Sequence, residues 1–188
     1  MINITLKDGS VKSIEGAKLV IDFAKELSVS LAKKCVCAAV NGELVDLKAE
    51  LNEDCSVELI LQDDPRAFEV LNHSCAHLMA QAIKHLYPHA KFWVGPVIEE
   101  GFYYDIDLGD KVISEEDIMA IEKEMKKIAK DGKRIVRHEL SREEALDMFK
   151  DDPYKIDLIN NMPEDEVITA YSQGDFTDLC RGGHVETV

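Results

Sequence analysis

The chain lacks a long hydrophobic run: no stretch approaches the ~20 apolar residues of a membrane span. Its first residues, Met1-Ile2-Asn3-Ile4, show neither the basic nor the apolar region of a secretion signal. Five cysteines, an odd number, argue against a disulfide-stapled secreted scaffold and predict reduced thiols in a cytoplasmic protein. Basic residues are outnumbered, 22 against 37 acidic, and the net charge of −15 argues against a general nucleic-acid binder. There is no Gly-x-Ser-x-Gly elbow and no Gly-x-x-x-x-Gly-Lys phosphate loop, so the chain does not read as an ATP-using enzyme. Internal repeats and low-complexity tracts are missing too. What remains is 188 residues with 46% hydrophobic content, enough for one medium domain or two small ones.

The first sixty residues carry strand signals around one helix. Ile2 to Leu6 alternates, Lys7-Asp8-Gly9-Ser10 is a hairpin turn, and Val11 to Ile14 returns. Ala17, Val20, Ile21, Ala24 and Leu27 repeat at helical spacing. Cys35 to Val40, Leu44 to Leu47 and Val57 to Leu61 are strand-like, the first two joined by Asn41-Gly42. This order predicts a small α+β domain of the β-grasp, ubiquitin-like kind over residues 1–62. Cys35-x-Cys37 has the wrong spacing for a usual zinc knuckle and reads as core.

Gln62-Asp63-Asp64-Pro65 marks the boundary to a second domain, 63–188. A helix is expected from about Arg66 to Leu86, stopped by Tyr87-Pro88. Strands are expected over Phe92–Ile98, with a bulge or edge position at Gly95-Pro96, and over Phe102–Asp107, placing Phe102 and Tyr104 on one side. Ser114-x-x-Asp117 and Ser141-x-x-Glu144 are capping boxes opening two more helices. The second helix breaks at Asp152-Pro153. Ile135–Leu140, Val167–Tyr171 and Phe176–Leu179 read as strands, which gives an α+β domain with helices packed on an antiparallel sheet. Lys123, Lys126, Lys127, Lys130, Lys133, Arg134 and Arg137 form a basic segment, read either as a solvated helix face or as a phosphate-facing patch.

Two pairs of chemically capable residues stand out. His73 and His77 are four apart in the long helix, so one ring lies above the other. The stripe Leu71, Cys75, Leu78, Met79, Ala82 and Leu86 is expected to be the core face, which puts the imidazoles opposite, with Gln81 and Lys84 beside them. Far along the chain, Asp178-Leu179-Cys180-Arg181-Gly182-Gly183-His184 supplies Cys-x3-His beside two glycines. Brought together, these four residues suit a tetrahedral zinc site or a metal-free site in which imidazoles hold a water. A Cys/His nucleophile pair is disfavoured, because neither Cys75 nor Cys180 sits at a clear helix N-terminus.

His73-Ser-Cys-Ala-His77-Leu, Val94-Gly-Pro-Val-Ile-Glu-Glu-Gly-Phe-Tyr-Tyr-Asp105 and Asp178-Leu-Cys-Arg-Gly-Gly-His184-Val resemble the N-terminal half of bacterial threonyl-tRNA synthetases. The first domain resembles that family's TGS domain and the second its editing domain. The editing domains of alanyl-tRNA synthetases share the paired motifs but lack the N-terminal domain. The resemblance implies a cytoplasmic proofreading hydrolase acting on the seryl ester of tRNA(Thr), because a synthetic site rejects an amino acid smaller by one methyl by only ~1–3 kcal/mol. It implies a chain that edits without the aminoacylation core, with no ligase activity and no ATP binding.

The roles it implies are specific. His73 and Lys155 orient water and stabilise the developing oxyanion. Asp178 binds the substrate's ammonium or hydroxyl, and Tyr104 contacts the terminal adenosine. His77, Cys180 and His184 shape a pocket that admits serine and crowds threonine. No cofactor is expected for editing; if zinc binds, His73, His77, Cys180 and His184 are its ligands. The partners implied are the 3′ end of tRNA(Thr) carrying serine and, in a longer enzyme, the aminoacylation core, with no membrane. Gly183 stands where the family usually has proline. The alternatives are a zinc-dependent alanyl-type deacylase and a non-catalytic tRNA-binding module.

Overall fold

The computed structural model describes residues 1–188. They form two compact units, Met1–Leu71 with Gly183–Glu186, and Asn72–Gly182 with Thr187–Val188. No helix is long and apolar enough to cross a membrane, and none of the five cysteines is in a disulfide.

The first unit is built on β1 (Ile2–Leu6), β2 (Val11–Ile14), β3 (Lys18–Leu19), α1 (Val20–Leu27), α2 (Val29–Ala32), β4 (Cys35–Val40), β5 (Glu43–Val45), β6 (Glu50–Leu51) and β7 (Cys55–Leu61). The main sheet runs β2-β1-β7-β4-β5, and β3 pairs with β6. β1 lies parallel to β7, while the other pairs are antiparallel. That is the β-grasp arrangement the strand order predicts. Ile4, Val20, Phe23, Leu51 and Val57 are buried together under α1, each contributing about 1.5–3 kcal/mol of apolar burial. The sheet's other face buries Val36, Cys37, Ala39 and Ile60 against Ala67, Val70 and Val185. Residues beyond the expected boundary at 62 therefore complete this core.

Ala67 and Val70 belong to α3 (Ala67–Leu86). Its buried line departs from the sequence expectation. Ala67, Val70, Ser74, His77 and Gln81 are buried, whereas Leu71 and Leu86 are 40% and 38% exposed. The buried surface thus extends from part of the expected stripe, where Ala82 is fully buried and Leu78 and Met79 pack against a core, round to the histidine face. Small and polar residues occupy it, and they are admitted because partners satisfy them: Gln81 donates to Asp175 at 2.9 Å and accepts from Gln173 at 3.0 Å.

The second unit continues with β8 (Lys91–Phe92), β9 (Val97–Ile98), β10 (Gly101–Phe102), β11 (Ile106–Asp107), α4 (Glu115–Asp131), β12 (Ile135–Leu140), α5 (Arg142–Met148), α6 (Pro153–Asn161), β13 (Ile168–Gln173) and β14 (Phe176–Leu179). The antiparallel sheet β12-β13-β14 is as expected. Ala80, Ile83, Phe92, Ile121, Ile128 and Phe176 share a core, while Ile118 of α4 is 57% exposed.

Both predicted strands at 92–98 and 102–107 are each broken in two. β8 pairs with β11 and β9 with β10, while the backbone between them leaves the ladder. Pro96 has no N–H to give, and the Tyr104 ring lies on Gly95, where a Cβ would come within 2.6 Å of it. Tyr104 therefore does not alternate with Phe102 along one strand.

The capping boxes form as expected at Ser114/Asp117 and Ser141/Glu144. α6 is an element the sequence reading did not contain. α5 already ends at Met148, short of the expected break at Asp152-Pro153, and that dipeptide instead opens the next helix: Asp152 caps the N–H groups of Tyr154 and Lys155, with proline in the first turn. At the other end, Arg142 donates to the carbonyls of Ile159, Met162 and Pro163. The basic segment behaves as a solvated face where it is helical: Lys126 and Lys127 pair with Glu122 and Glu124 of α4 and are 73% and 74% exposed.

Candidate functional site

The i, i+4 spacing on α3 holds the rings of His73 and His77 edge to face, with centroids 5.1 Å apart. Cys180 follows β14, where its N–H donates to the Thr169 carbonyl at 3.1 Å and its carbonyl accepts from the Thr169 hydroxyl. This fixes the loop start so that Cys180 Sγ lies 3.1 Å from His73 Nε2 and 3.3 Å from the N–H of Gly182. Gly182 has φ of +109°, and a Cβ there would meet the Tyr171 hydroxyl at 2.5 Å, so the turn requires glycine.

His184 is 1% exposed. Its backbone N–H lies 3.4 Å from the Asp46 carboxylate. The ligand atoms of His73, His77 and Cys180 lie within 4.8 Å of one another, so the helix pair meets the thiol of the late pair.

Beside them sits a buried ion pair. Lys155 Nζ is 2.7 Å from Asp178 Oδ1, with side chains 4% and 3% exposed. Lys155 also donates to the Trp93 carbonyl at 2.8 Å. Asp178 accepts from the Tyr104 hydroxyl and from the Leu179 N–H. Three donors therefore meet this carboxylate, which offsets the cost of burying it.

Burial and the facing carboxylate push the Tyr104 phenol well above its ordinary range, so it stays a donor. Burial lowers His77 to about 4, opposed by the charge of Asp178 and aided by His73 and Lys155. At neutral pH His77 is an uncharged imidazole.

These groups open onto a cavity of about 520 Å³, walled by His73, His77, Tyr104, Lys155 and Cys180, with Trp93, Leu158, Met162 and Val167 among its apolar lining. The volume is in the range of small-molecule sites. Asp178 is not part of the wall. A substrate ammonium reaching it would have to displace the groups it already holds. Gln81 and Lys84, grouped with the histidines by spacing, point elsewhere in their contacts: Gln81 to Asp175 and Gln173, Lys84 to the Ala90 carbonyl.

Three contributors were not singled out in the sequence. Thr169 anchors Cys180, Gly95 makes room for the Tyr104 ring, and the Trp93 carbonyl receives Lys155. Gly95-Pro96 carried a signal, read only as a bulge; Thr169 and Trp93 carried none.

Comparison with known proteins agrees with the β-grasp topology, since the TGS domain model matches residues 2–61. Threonine–tRNA ligases from Enterococcus faecalis and Staphylococcus epidermidis are 52% and 53% identical to the chain over 184 residues, which is 98% of this chain and 28% of each relative. That from Clostridioides difficile is 51% identical over 187 residues, 98% of this chain and 29% of the relative. The chain spans less than a third of the length of these relatives. It carries a TGS domain and, over nearly its whole length, matches one part of the threonine–tRNA ligase family.

Proposed function

We propose that this chain is a proofreading hydrolase that cleaves the ester between serine and the terminal adenosine ribose of tRNA(Thr). The observation that carries the reading is the 3.1 Å contact between His73 and Cys180 in a cavity whose wall also holds the buried Lys155. The similarity to threonine–tRNA ligases supports the substrate class. The working compartment is the cytoplasm, the aminoacylation core of a longer enzyme would supply the mischarged tRNA, and no ligase activity or ATP binding is assigned to these residues.

In this reading a water held by His73 attacks the ester carbonyl, and the Lys155 ammonium offsets the charge that develops on its oxygen. The carbonyl–ribose oxygen bond breaks, the departing ribose oxygen takes the proton given up by the attacking water and becomes the hydroxyl, and serine leaves with a free carboxyl group. Asp178 acts by holding Lys155 and Tyr104 in place, and Tyr104 borders the nucleoside. His77 and Cys180 crowd the γ-methyl of threonine; His184, expected to share that role, is not part of the cavity wall. A methyl group rejected this way is worth about 1–3 kcal/mol.

The donor set also suits zinc. Bonds of about 2.0–2.3 Å to nitrogen and sulfur place tetrahedral ligands roughly 3.3–3.8 Å apart; the donors of His73, His77 and Cys180 lie within 4.8 Å of one another, so they would have to draw in to hold the ion. Bound there, zinc would supply a Lewis acid and a more acidic water. The reading preferred here assigns water activation to His73 and Lys155 without it. Chelator-treated protein is expected to retain deacylation; activity lost on chelation and restored by zinc overturns the metal-free reading.

The deciding experiment is deacylation of seryl- against threonyl-tRNA(Thr) by the 188-residue chain, with seryl-tRNA(Ala) as a third substrate. Faster loss of serine from tRNA(Thr) is expected, and His73→Ala should slow it on the order of 10²–10⁴-fold. Equal rates for wild type and His73→Ala would leave a tRNA-binding module. Preference for tRNA(Ala) would favour the alanyl-type reading.

A further inference from the structure

Trp93 is the only tryptophan in the chain, and it is 45% exposed although it lines the cavity. One side of its ring is supported. The Tyr154 ring stacks against it, with centroids 6.4 Å apart and planes 29° from parallel. Tyr154 is itself tethered, its hydroxyl donating to Asp107 at 2.8 Å. The backbone of Trp93 is pinned at both ends: its N–H donates to the Asp105 carbonyl at 3.0 Å, and its carbonyl receives Lys155. A large apolar ring this firmly held, and still half in water, is a preformed platform.

Arg181 lines the same cavity with a side chain 81% exposed, meeting Glu166 at 2.7 Å. An aromatic face and an exposed guanidinium at one cavity are the two elements of single-strand recognition: a ring for a base and a cation for a phosphate.

We infer that Trp93 stacks the base of the nucleotide preceding the terminal adenosine, the penultimate cytidine of a tRNA end, with Arg181 facing the connecting phosphate. This rests on the editing reading above, which accounts for the adenosine and the serine but leaves the Trp93 ring without a task.

Two minimal substrates separate the claims: 3′-seryl-adenosine, which lacks the penultimate nucleotide, and the seryl ester of the trinucleotide CCA. Trp93→Ala should raise KM for seryl-CCA about tenfold, leave its kcat within about twofold, and change seryl-adenosine hydrolysis by less than about twofold. Trp93→Phe should recover most of the lost affinity. Equal losses on both substrates, or none on either, overturn the inference while leaving the hydrolase reading intact. If wild type hydrolyses neither minimal substrate, deacylation of seryl-tRNA(Thr) decides the hydrolase reading and fluorescence decides the subsite. Trp93 emission should then be quenched on titration with unacylated CCA and not with adenosine. Unchanged emission at saturating CCA overturns it.

Discussion

At the scale of single residues, the site depends on two forms of close fit. Gly95 allows the Tyr104 ring to lie on the backbone, and a methyl there would sit 2.6 Å from ring carbons. Gly95→Ala should cost about 1–3 kcal/mol of stability, as overpacking does, and should weaken deacylation by displacing the phenol from Asp178; urea denaturation and steady-state rates check the two effects. Lys155 and Asp178 show the other form. Removing one partner of so buried a pair, as in Lys155→Met, should destabilise by about 3–5 kcal/mol, again measurable in urea. A change below ~1 kcal/mol would mean the pair is hydrated in solution. Neither fit was readable from spacing; what spacing did mark were His73 and Cys180, whose side chains meet at 3.1 Å. The burial of His77 was not readable. Hydrophobic periodicity scores alanine, serine and glutamine as weakly apolar or polar, so a core face made of them looks like the solvent side.

At the scale of elements, α6 is the one that places Lys155, and it is secured at both ends. Asp152 caps its start and also receives the Phe92 N–H at 3.3 Å, while Arg142 closes its end. Asp152→Ala should cost about 1 kcal/mol and lower kcat through a misplaced ammonium, whereas Asp152→Asn should restore most of both. The ends of α4 and α5 were legible because a Ser-x-x-acid box is local chemistry. α6 was missed because Asp-Pro was read as a stop, when the same dipeptide is equally a start.

A second element-level tie is His85, whose ring nitrogens lie 2.8 Å from Glu124 and 2.9 Å from Asp175, joining α3, α4 and the β13–β14 turn. These carboxylates raise its pKa, with burial opposing. The folded state thus holds the proton more tightly than the unfolded state. The stabilisation is complete below the unfolded value near 6.5 and is lost as pH rises through the higher folded value. Unfolding free energy should therefore decline as pH climbs from 6 toward and past the folded value, by less than about 1 kcal/mol for so exposed a group. His85→Gln should flatten that slope; an unchanged slope would show that the ring does not titrate in this contact.

At the scale of the whole molecule, the strand and helix order was sufficient to read the β-grasp unit, because alternation and turn dipeptides are short-range signals. The extent of its core was not legible. Val36, Cys37, Ala39 and Ile60 are buried by Ala67 and Val70, which lie in a helix that pattern reading placed in the next domain. A fragment of residues 1–62 should accordingly be less stable than one of residues 1–71 and bind more of a hydrophobic dye; equal thermal midpoints would argue that this back face is covered some other way.

The polar interior of the second unit has a consequence for anyone trying to toughen the protein. On the proposed hydrolase reading, Lys155, Asp178 and His77 serve the chemistry and also fill the buried interior, so selection for durability and selection for turnover act on the same atoms. Exchanging the ion pair for well-fitted aliphatic residues is the sort of change that often yields a sturdier fold. Here it would yield a sturdy protein with no chemistry, and heat resistance would have to be sought in the β-grasp half instead.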